Sequence, residues 1–415
     1  MTVAGTRERG PAVREALAPP VAVTGNEAVA VAVRQARPGV IAAYPITPQT
    51  DIVQYLAHFC REGMLKAVFL PVESEHSALS AVIGAAAAGV RAVSATSSQG
   101  LLHMAELLPI ASGMRLPVLL AVVNRALSAP LNIHCDHSDS LFVRDAGWLQ
   151  LYCASVQEVY DTVLLSLRWA EDPRVRLPVM VCQDGFFLSH CAENLEVLPD
   201  EEVSSFLGDY RPEVSLLDSE HPASFGAMDL QDWYLEHRQE VSSAMRRAFG
   251  VYLEAAEEFF RLTGRYWPPV ETYALDDARF GVVVMGTAAG TVRAAIERMR
   301  KRGLLVGLLR VRLYRPFPRE LLAGFLEPLE GVAVLDRADT LSGFGGPLFL
   351  EVAASLYGAR RHPRLGGFVY GLGGRELRPE EVERAVEEVR RGEVFSGRYL
   401  GLRGAARRYP GPGGR

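Results

Sequence analysis

The feature that most constrains this chain is an alternation of short apolar runs with amphipathic runs of helical period. From about residue 22 to 190 it reads as helix GNEAVAVAVRQA, strand VIAAY, helix DIVQYLAHF, strand AVFLPV, helix SEHSALSAVIGAAAAG and strand RAVSAT. Helix GLLHMAELLPIASG, strand LPVLLAVVN, helix QEVYDTVLLSLRWAED and strand LPVMVCQD follow. Strands apolar on both faces need cover on both faces, and the intervening helices supply it, so the pattern predicts an α/β fold with a parallel sheet. Between about 192 and 275 the alternation stops. A loop-like stretch leads into one or two amphipathic helices, which should pack on the rest, because a bare loop of that length is unusual. A second alternation then runs from FGVVVMG through GVAVLD and GFVYG to RPEEVERAVEEVRRG, a smaller doubly wound unit. The expected organisation is a tail over 1–21, an α/β unit over 22–200, a helical connector over 201–275, a second α/β unit over 276–400 and a tail over 401–415.

Composition narrows the function classes. A net charge of −5 leaves no basic footprint for nucleic acid. The longest apolar run, HSALSAVIGAAAAGV, falls short of the roughly 18 to 20 residues of a membrane span. The N-terminus lacks an apolar signal core, which places the protein in the cytoplasm. Five cysteines, Cys60, Cys135, Cys153, Cys182 and Cys191, include no CxxC pair. They support neither a disulfide framework nor an iron–sulfur site within this chain.

Four stretches carry candidate chemistry. In YPITPQT two prolines flank Thr47 just beyond a strand, stiffening the backbone on both sides of one hydroxyl. Such strand ends are where α/β sheets present functional groups, although Thr47 also reads as a helix N-cap. In VESEHS, Glu73 suits the positive end of a helix dipole. Glu75 precedes an Ala-, Ser- and Gly-rich helix whose small side chains suit a carboxylate buried against a partner surface. ATSSQGL offers Ser98, Gln99 and helix-start amides to polar ligand groups, or simply caps. In NRALSAPLNIHCDHSDS, Arg125 follows a buried strand and suits a clamp on a carboxylate. The run His134, Cys135, Asp136, His137, Asp139 tempts as a metal cluster, but adjacent residues cannot all face one ion, and no metal is expected. Asp136, His137 and Asp139 should instead order the loop by mutual hydrogen bonds. GTAAGT lacks the G-x-G-x-x-G of a dinucleotide site, so Gly286 and Gly290 read as close-packing glycines. The SGFGGP and GLGGRE loops lie at strand ends and could touch a ligand or a partner.

Taken together, YPITPQT, VESEHSALSAVIGAAAAG, SATSSQGL, NRALSAP with DHSDS, CQDGFFLSH and LYRPFP resemble, in order, the alpha subunit of 2-oxoacid:ferredoxin oxidoreductases, the pyruvate synthase group. The resemblance covers about residues 22 to 400. It implies a pyrimidine-type thiamine diphosphate domain followed by a transketolase C-terminal-like domain. It also implies a cofactor shared with a beta subunit that carries the Mg²⁺-diphosphate site. No GDG occurs here: Asp184-Gly185 stands alone and Gly208-Asp209 lacks the second glycine. Iron–sulfur clusters are expected on partners, gamma and ferredoxin-like delta subunits or equivalent domains, with ferredoxin as acceptor.

By the same resemblance, Thr47 faces substrate and thiazolium carbon, Glu75 hydrogen-bonds the aminopyrimidine ring, and Arg125 binds the oxoacid carboxylate. Tyr44, Pro45, Ser98 and Gln99 line the cofactor. The implied reaction is oxidative decarboxylation of a 2-oxoacid with coenzyme A, or its reverse. Gln49 and Thr50 stand where relatives often carry serines, which leaves pyruvate, the expected acid, beside branched-chain 2-oxoacids, 2-oxoglutarate and oxalate. A non-catalytic assembly subunit is the alternative of another class, and the presence of Thr47, Glu75 and Arg125 argues against it.

Overall fold

The computed structural model describes residues 20–341, 343–393 and 395–403; most of both expected tails lies outside the described residues. The chain builds a seven-stranded sheet in the order β12 (Leu313–Arg315), β6 (Leu149–Tyr152), β7 (Val179–Asp184), β5 (Leu119–Asn124), β4 (Ala92–Thr96), β2 (Val40–Ala43), β3 (Val68–Pro71). All neighbours are parallel except β12, which pairs antiparallel with β6. A six-stranded sheet runs β15 (Phe395–Tyr399), β14 (Arg364–Val369), β13 (Gly331–Asp336), β10 (Phe280–Val284), β11 (Val306–Val311), β9 (Val270–Tyr273), with only β9 antiparallel. A two-stranded antiparallel ribbon joins β1 (Val21–Thr24) to β8 (Ala192–Leu195).

Strand periodicity explains the layering. Successive side chains point to opposite faces. Val93, Ala95, Leu119, Ala121, Val123, Val179 and Val181 therefore join one apolar core with helices Gly25–Ala36, Val156–Ala170 and Tyr234–Thr263. Their alternates Ala92, Leu120, Val122, Met180 and Cys182 join another with helix Glu75–Ala87. That second core also contains Val283, Leu309 and Val334 from the six-stranded sheet, so both sheets share it.

Several elements depart from the periodicity reading. GLLHMAELLPIASG is two short helices, Ser98–His103 and Leu108–Gly113, because Pro109 opens a new first turn and has no amide hydrogen to continue the old one. Of the one or two amphipathic helices expected in the connector, the structure has a single 30-residue helix, Tyr234–Thr263. Its buried stripe Val241, Ala244, Ala248, Val251, Tyr252, Ala255 and Phe259 follows the helical repeat throughout. β6 and β12 were too short to announce themselves, and β12 leaves the second alternation to become the edge of the first sheet.

That crossing is locked by buried charge. Arg312, between β11 and β12, is fully buried. It donates to Glu158 Oε1 at 2.6 Å, to Thr162 Oγ1 and to the Tyr252 hydroxyl, and lies 5.3 Å from the Trp267 ring. Arg310 donates to Glu158 Oε2 at 2.9 Å and to Glu271 Oε2 at 2.6 Å. Burial works to raise the Glu158 pKa, and the two guanidinium groups overcome it, leaving the carboxyl below its ordinary value. Removing one partner of such a cluster strands buried charge, so Arg312→Ala should cost ~3–5 kcal/mol of stability. Thermal unfolding should show a clear fall in Tm, against almost none for Arg174→Ala, whose carboxylate partners Asp172 and Glu254 it meets at the surface.

Candidate active site

The candidate residues sit where the parallel strands end. Thr47 follows β2, Glu75 follows β3, Ser98 and Gln99 follow β4, and Arg125 follows β5 directly. In a parallel sheet all these ends lie on one edge, which brings residues far apart in sequence together.

Thr47 is exposed, and the Thr47–Pro48 peptide is cis. It does not cap the following helix; that helix begins at Thr50 with Gln49 as its N-cap residue. Gln49 is fully buried, and its Nε2 donates to Tyr44 O at 2.8 Å and Ala95 O at 3.1 Å, strapping the loop to β4. Asn26 Nδ2 holds the other side through Pro48 O at 2.8 Å. Tyr44 and Pro45 remain exposed on the same loop.

Arg125 meets this loop. Its Nη1 donates to Thr47 O at 2.9 Å and its Nε to Asn132 O at 3.0 Å. Two of its three guanidinium nitrogens are thus engaged by backbone carbonyls. Burial lowers the pKa of Arg125, and the nearby Asp139 partly restores it.

Asp139 organises this half of the site. Its fully buried carboxylate accepts from Ser98 N at 2.9 Å, Asn124 Nδ2 at 2.8 Å, Arg125 N at 3.0 Å and Ser140 N at 2.8 Å. Burial pushes its pKa up to about 6, against the pull of those four donors. The residues expected to order the loop by mutual bonds instead reach outward. Asp139 holds the ends of β4 and β5, His137 Nε2 meets Asp184 Oδ1 at 2.7 Å, and Asp136 Oδ2 accepts from Gly373 N at 3.1 Å.

The Ser98 hydroxyl is buried and lies 2.6 Å from both Ala126 O and Gln99 Oε1. One proton cannot serve two acceptors, and turning the Gln99 amide over satisfies both contacts, since its nitrogen then donates to Ser98. The pair is thus internally engaged, with Gln99 half-buried.

Glu75 lies in the first turn of helix Glu75–Ala87, whose Ser74 cap accepts from Ser77 N. It is buried at 7% exposure, whereas Glu73 is exposed and holds the Ser77 hydroxyl. Only glycine fits opposite it: a Cβ on Gly100 would lie 2.6 Å from Glu75 Oε1 and 2.6 Å from Thr96 Oγ1. Thr96 Oγ1 is buried with no hydrogen-bond partner among the described residues. Glu75 Oε2 meets His103 Nδ1 at 3.2 Å, and that imidazole is about half exposed. A carboxylate under a glycine niche, beside an unsatisfied hydroxyl, fits a flat polar ring presented edge-on, as the aminopyrimidine of thiamine diphosphate is. Nothing in the sequence singled out Gly100, Thr96 or His103, because the niche forms only when two strand ends meet.

One triad has metal-ligand character among the described residues: Cys135, His137 and Asp184, all buried. The Asp184 carboxylate is already saturated by His137, by Thr287 N at 3.0 Å and its hydroxyl, and by Arg337 Nη1 at 2.9 Å. A guanidinium occupies the place a cation would take. Burial raises the Asp184 pKa, but the His137 ring and Arg337 charge outweigh it and hold the carboxyl well below its usual range. Gly286 packs closely against this carboxylate, with φ +64° and Oδ1 2.9 Å from an added Cβ. Gly290 does not; nothing lies within 4 Å of it.

Comparison with known proteins gives the family. The family described as pyruvate flavodoxin/ferredoxin oxidoreductase, thiamine diphosphate-binding, matches residues 31–256. Pyruvate:ferredoxin oxidoreductase core domain II matches residues 278–382. Pyruvate synthase subunit PorA of Thermotoga maritima is 49% identical over 385 residues, 92% of this chain and 98% of the relative. The PorA of Methanothermobacter thermautotrophicus is 45% identical over 381 residues, again 92% and 98%. Ketoisovalerate oxidoreductase subunit VorA of Pyrococcus abyssi is 42% identical over 370 residues, 89% and 93%. A solved 2-oxoglutarate:ferredoxin oxidoreductase from Magnetococcus marinus shares the fold at TM-score 0.70 and 21% identity, over 89% of this chain and 65% of that one. No helix among the described residues is long and apolar enough to cross a membrane. The chain belongs to the pyruvate flavodoxin/ferredoxin oxidoreductase family.

Proposed function

We propose that this chain is the alpha subunit of a 2-oxoacid:ferredoxin oxidoreductase that acts on pyruvate and contributes half of a thiamine diphosphate site. The observation that carries the reading is the pairing of two groups on one sheet edge. Glu75 lies buried under Gly100, and Arg125 is held against the Thr47 carbonyl. Thiamine diphosphate, when bound, supplies the electron sink that makes decarboxylation of a 2-oxoacid accessible. Glu75, buried beside Gly100, would hydrogen-bond the aminopyrimidine ring of the cofactor. Arg125 uses Nη2 to hold the oxoacid carboxylate until it leaves as CO₂. Thr47, exposed on a loop strapped by Gln49 and Asn26, sets its hydroxyl beside the reacting carbon. Tyr44, Pro45 and Gln99 line the approach, and Ser98 contributes by holding the β5 exit through Ala126.

A beta subunit carries the diphosphate and Mg²⁺, and gamma and ferredoxin-like delta subunits or equivalent domains carry iron–sulfur clusters to ferredoxin. Of the five cysteines here, Cys135, Cys153 and Cys182 are buried, and the sequence has no CxxC spacing of the kind that ligates a cluster. Coenzyme A takes the acyl group, and the protein acts in the cytoplasm. The division into a tail over 1–21, a pyrimidine-binding unit over 22–200, a helical connector over 201–275, a transketolase-like unit over 276–400 and a tail over 401–415 belongs to the same proposal. The reading of pyruvate rests on the 49% identity to the Thermotoga maritima pyruvate synthase subunit, against 42% to the ketoisovalerate subunit and 41% to the pyruvate synthase subunit of Pyrococcus abyssi.

The assembled enzyme, purified with its native partners, should reduce viologen with pyruvate in a coenzyme A-dependent manner. A response only to another 2-oxoacid would reassign the substrate, and no response from an assembly holding thiamine diphosphate and iron would favour a scaffold role. Glu75→Ala should lower kcat at least about a hundredfold with the fold intact by circular dichroism; near-normal turnover would remove Glu75 from the site. Gly100→Ala, which drives a methyl into the Glu75 carboxylate, should lose activity similarly. Arg125→Ala should raise KM for the oxoacid about 10- to 100-fold, the worth of a hydrogen bond to a charged group. An unchanged KM would exclude Arg125 from the substrate site.

A further inference from the structure

The GLGG turn at Gly371–Gly374 follows β14 in the six-stranded sheet, yet it packs on the loop beyond β5 of the other sheet. Asn132 is the hinge of that contact. Its backbone carbonyl accepts from Arg125 Nε at 3.0 Å, its Nδ2 donates to Gly373 O at 3.1 Å, and its Oδ1 accepts from His134 N at 2.7 Å. Two further bonds run alongside: Gly373 N donates to Asp136 Oδ2 at 3.1 Å and Gly374 N to Cys135 O at 2.7 Å. The fit leaves no room for side chains on the turn. A Cβ at Gly373 would lie 2.5 Å from Asn132 Nδ2 and one at Gly374 2.4 Å from His134 Cβ, and both residues have positive φ, at +62° and +80°.

We propose that Asn132, pinned by the Gly371–Gly374 turn, is a positioning residue for the substrate arginine, so that the second α/β unit sets the geometry of oxoacid binding without touching the acid. The inference rests on the assignment of Arg125 to the oxoacid carboxylate. The physical reason is directional. Arg125 Nη1 is fixed by Thr47 O on one side, and the plane of the guanidinium is defined only when Nε is fixed on the other. The carbonyl that fixes it belongs to a half-exposed loop, and it stays in place because the Asn132 side chain ties that loop to a rigid turn. A free loop would let the guanidinium rotate about its stem and present Nη2 in many directions. Substrate affinity would fall while the chemistry of bound substrate was preserved.

The test uses the assembled enzyme and steady-state kinetics with the oxoacid and with coenzyme A varied separately. Asn132→Ala should raise KM for the oxoacid about tenfold, about one hydrogen bond's worth of orientation. kcat and the KM for coenzyme A should stay within about twofold, a difference too small to reflect a lost hydrogen bond. Asn132→Ser separates the two roles of the side chain. A serine hydroxyl can still accept from the His134 amide but is too short to reach Gly373 O, so it should behave like alanine. Gly374→Ala perturbs the contact from the opposite side and should reproduce the same selective rise in KM. Wild-type kinetics in Asn132→Ser, or kcat and both KM values changing together, would overturn the inference. Arg125→Ala read in parallel separates the layers. A raised oxoacid KM there with wild-type kinetics in the Asn132 variants overturns this inference alone, whereas an unchanged KM in Arg125→Ala overturns both.

Discussion

The buried carboxylate of Asp184 is the interaction on which the rest of the arrangement depends. It ends a central strand of the seven-stranded sheet, and three of its hydrogen-bond partners come from Thr287 and Arg337, beyond the ends of β10 and β13 in the other sheet. The fourth comes from His137, on the loop that follows the Arg125 strand. An ionised carboxyl without such partners would not tolerate burial. Here the desolvation penalty is offset by the Arg337 guanidinium, the Thr287 amide and hydroxyl and the His137 imidazole, drawn from three different segments. The penalty for separating them helps keep the two sheets together over a shared apolar core.

Asp139 repeats the device one layer closer to the chemistry. Its four donors come from the exits of β4 and β5 and from its own helix, so a single carboxyl sets the relative positions of Ser98, Asn124 and Arg125. Arg125 then reaches the β2 exit through the Thr47 carbonyl. Three strand ends are thereby joined by backbone-directed bonds, which are more rigid than contacts between flexible side-chain tips. Glu75 is handled differently. Its position follows from a helix start and from the absence of a side chain at Gly100, a steric rather than an electrostatic device. The candidate site therefore has one wall built by charge and one built by empty space. That division suits a surface that must hold an anion on one side and a flat ring on the other.

Much of the fold was legible in advance because doubly buried strands are written as unbroken apolar runs, and those runs are long enough to count. VIAAY, RAVSAT, LPVLLAVVN and LPVMVCQD each became a strand of the first sheet, and FGVVVMG and GVAVLD of the second. Two short strands were not legible. LQLY, inside the first sheet, and LYR, at its edge, carry four and three residues, and nothing local distinguishes them from loop. The break inside GLLHMAELLPIASG was written at Pro109 and passed over in favour of the longer period. At the site, Thr47, Glu75 and Arg125 stood out through residue type and place after a strand. Asn132, Gly100, Thr96 and His103 did not, since their importance lies in which distant residue they face.

What the sequence by itself determined was the list of elements and the strand ends from which candidate groups project. Those follow from hydrophobic period and from proline and glycine punctuation, which act over a few residues. Only the tertiary structure decided that β12 crosses to the first sheet, that the glycine turn after β14 braces the Arg125 loop, and that Asp184 joins the two units. These depend on contacts between residues far apart in the chain, such as Asp184 with Thr287, 103 positions away, and Asn132 with Gly373, 241 positions away. No local pattern encodes such pairs, because the partners of a buried polar group are chosen by where the folded sheets place it and not by its neighbours in the chain.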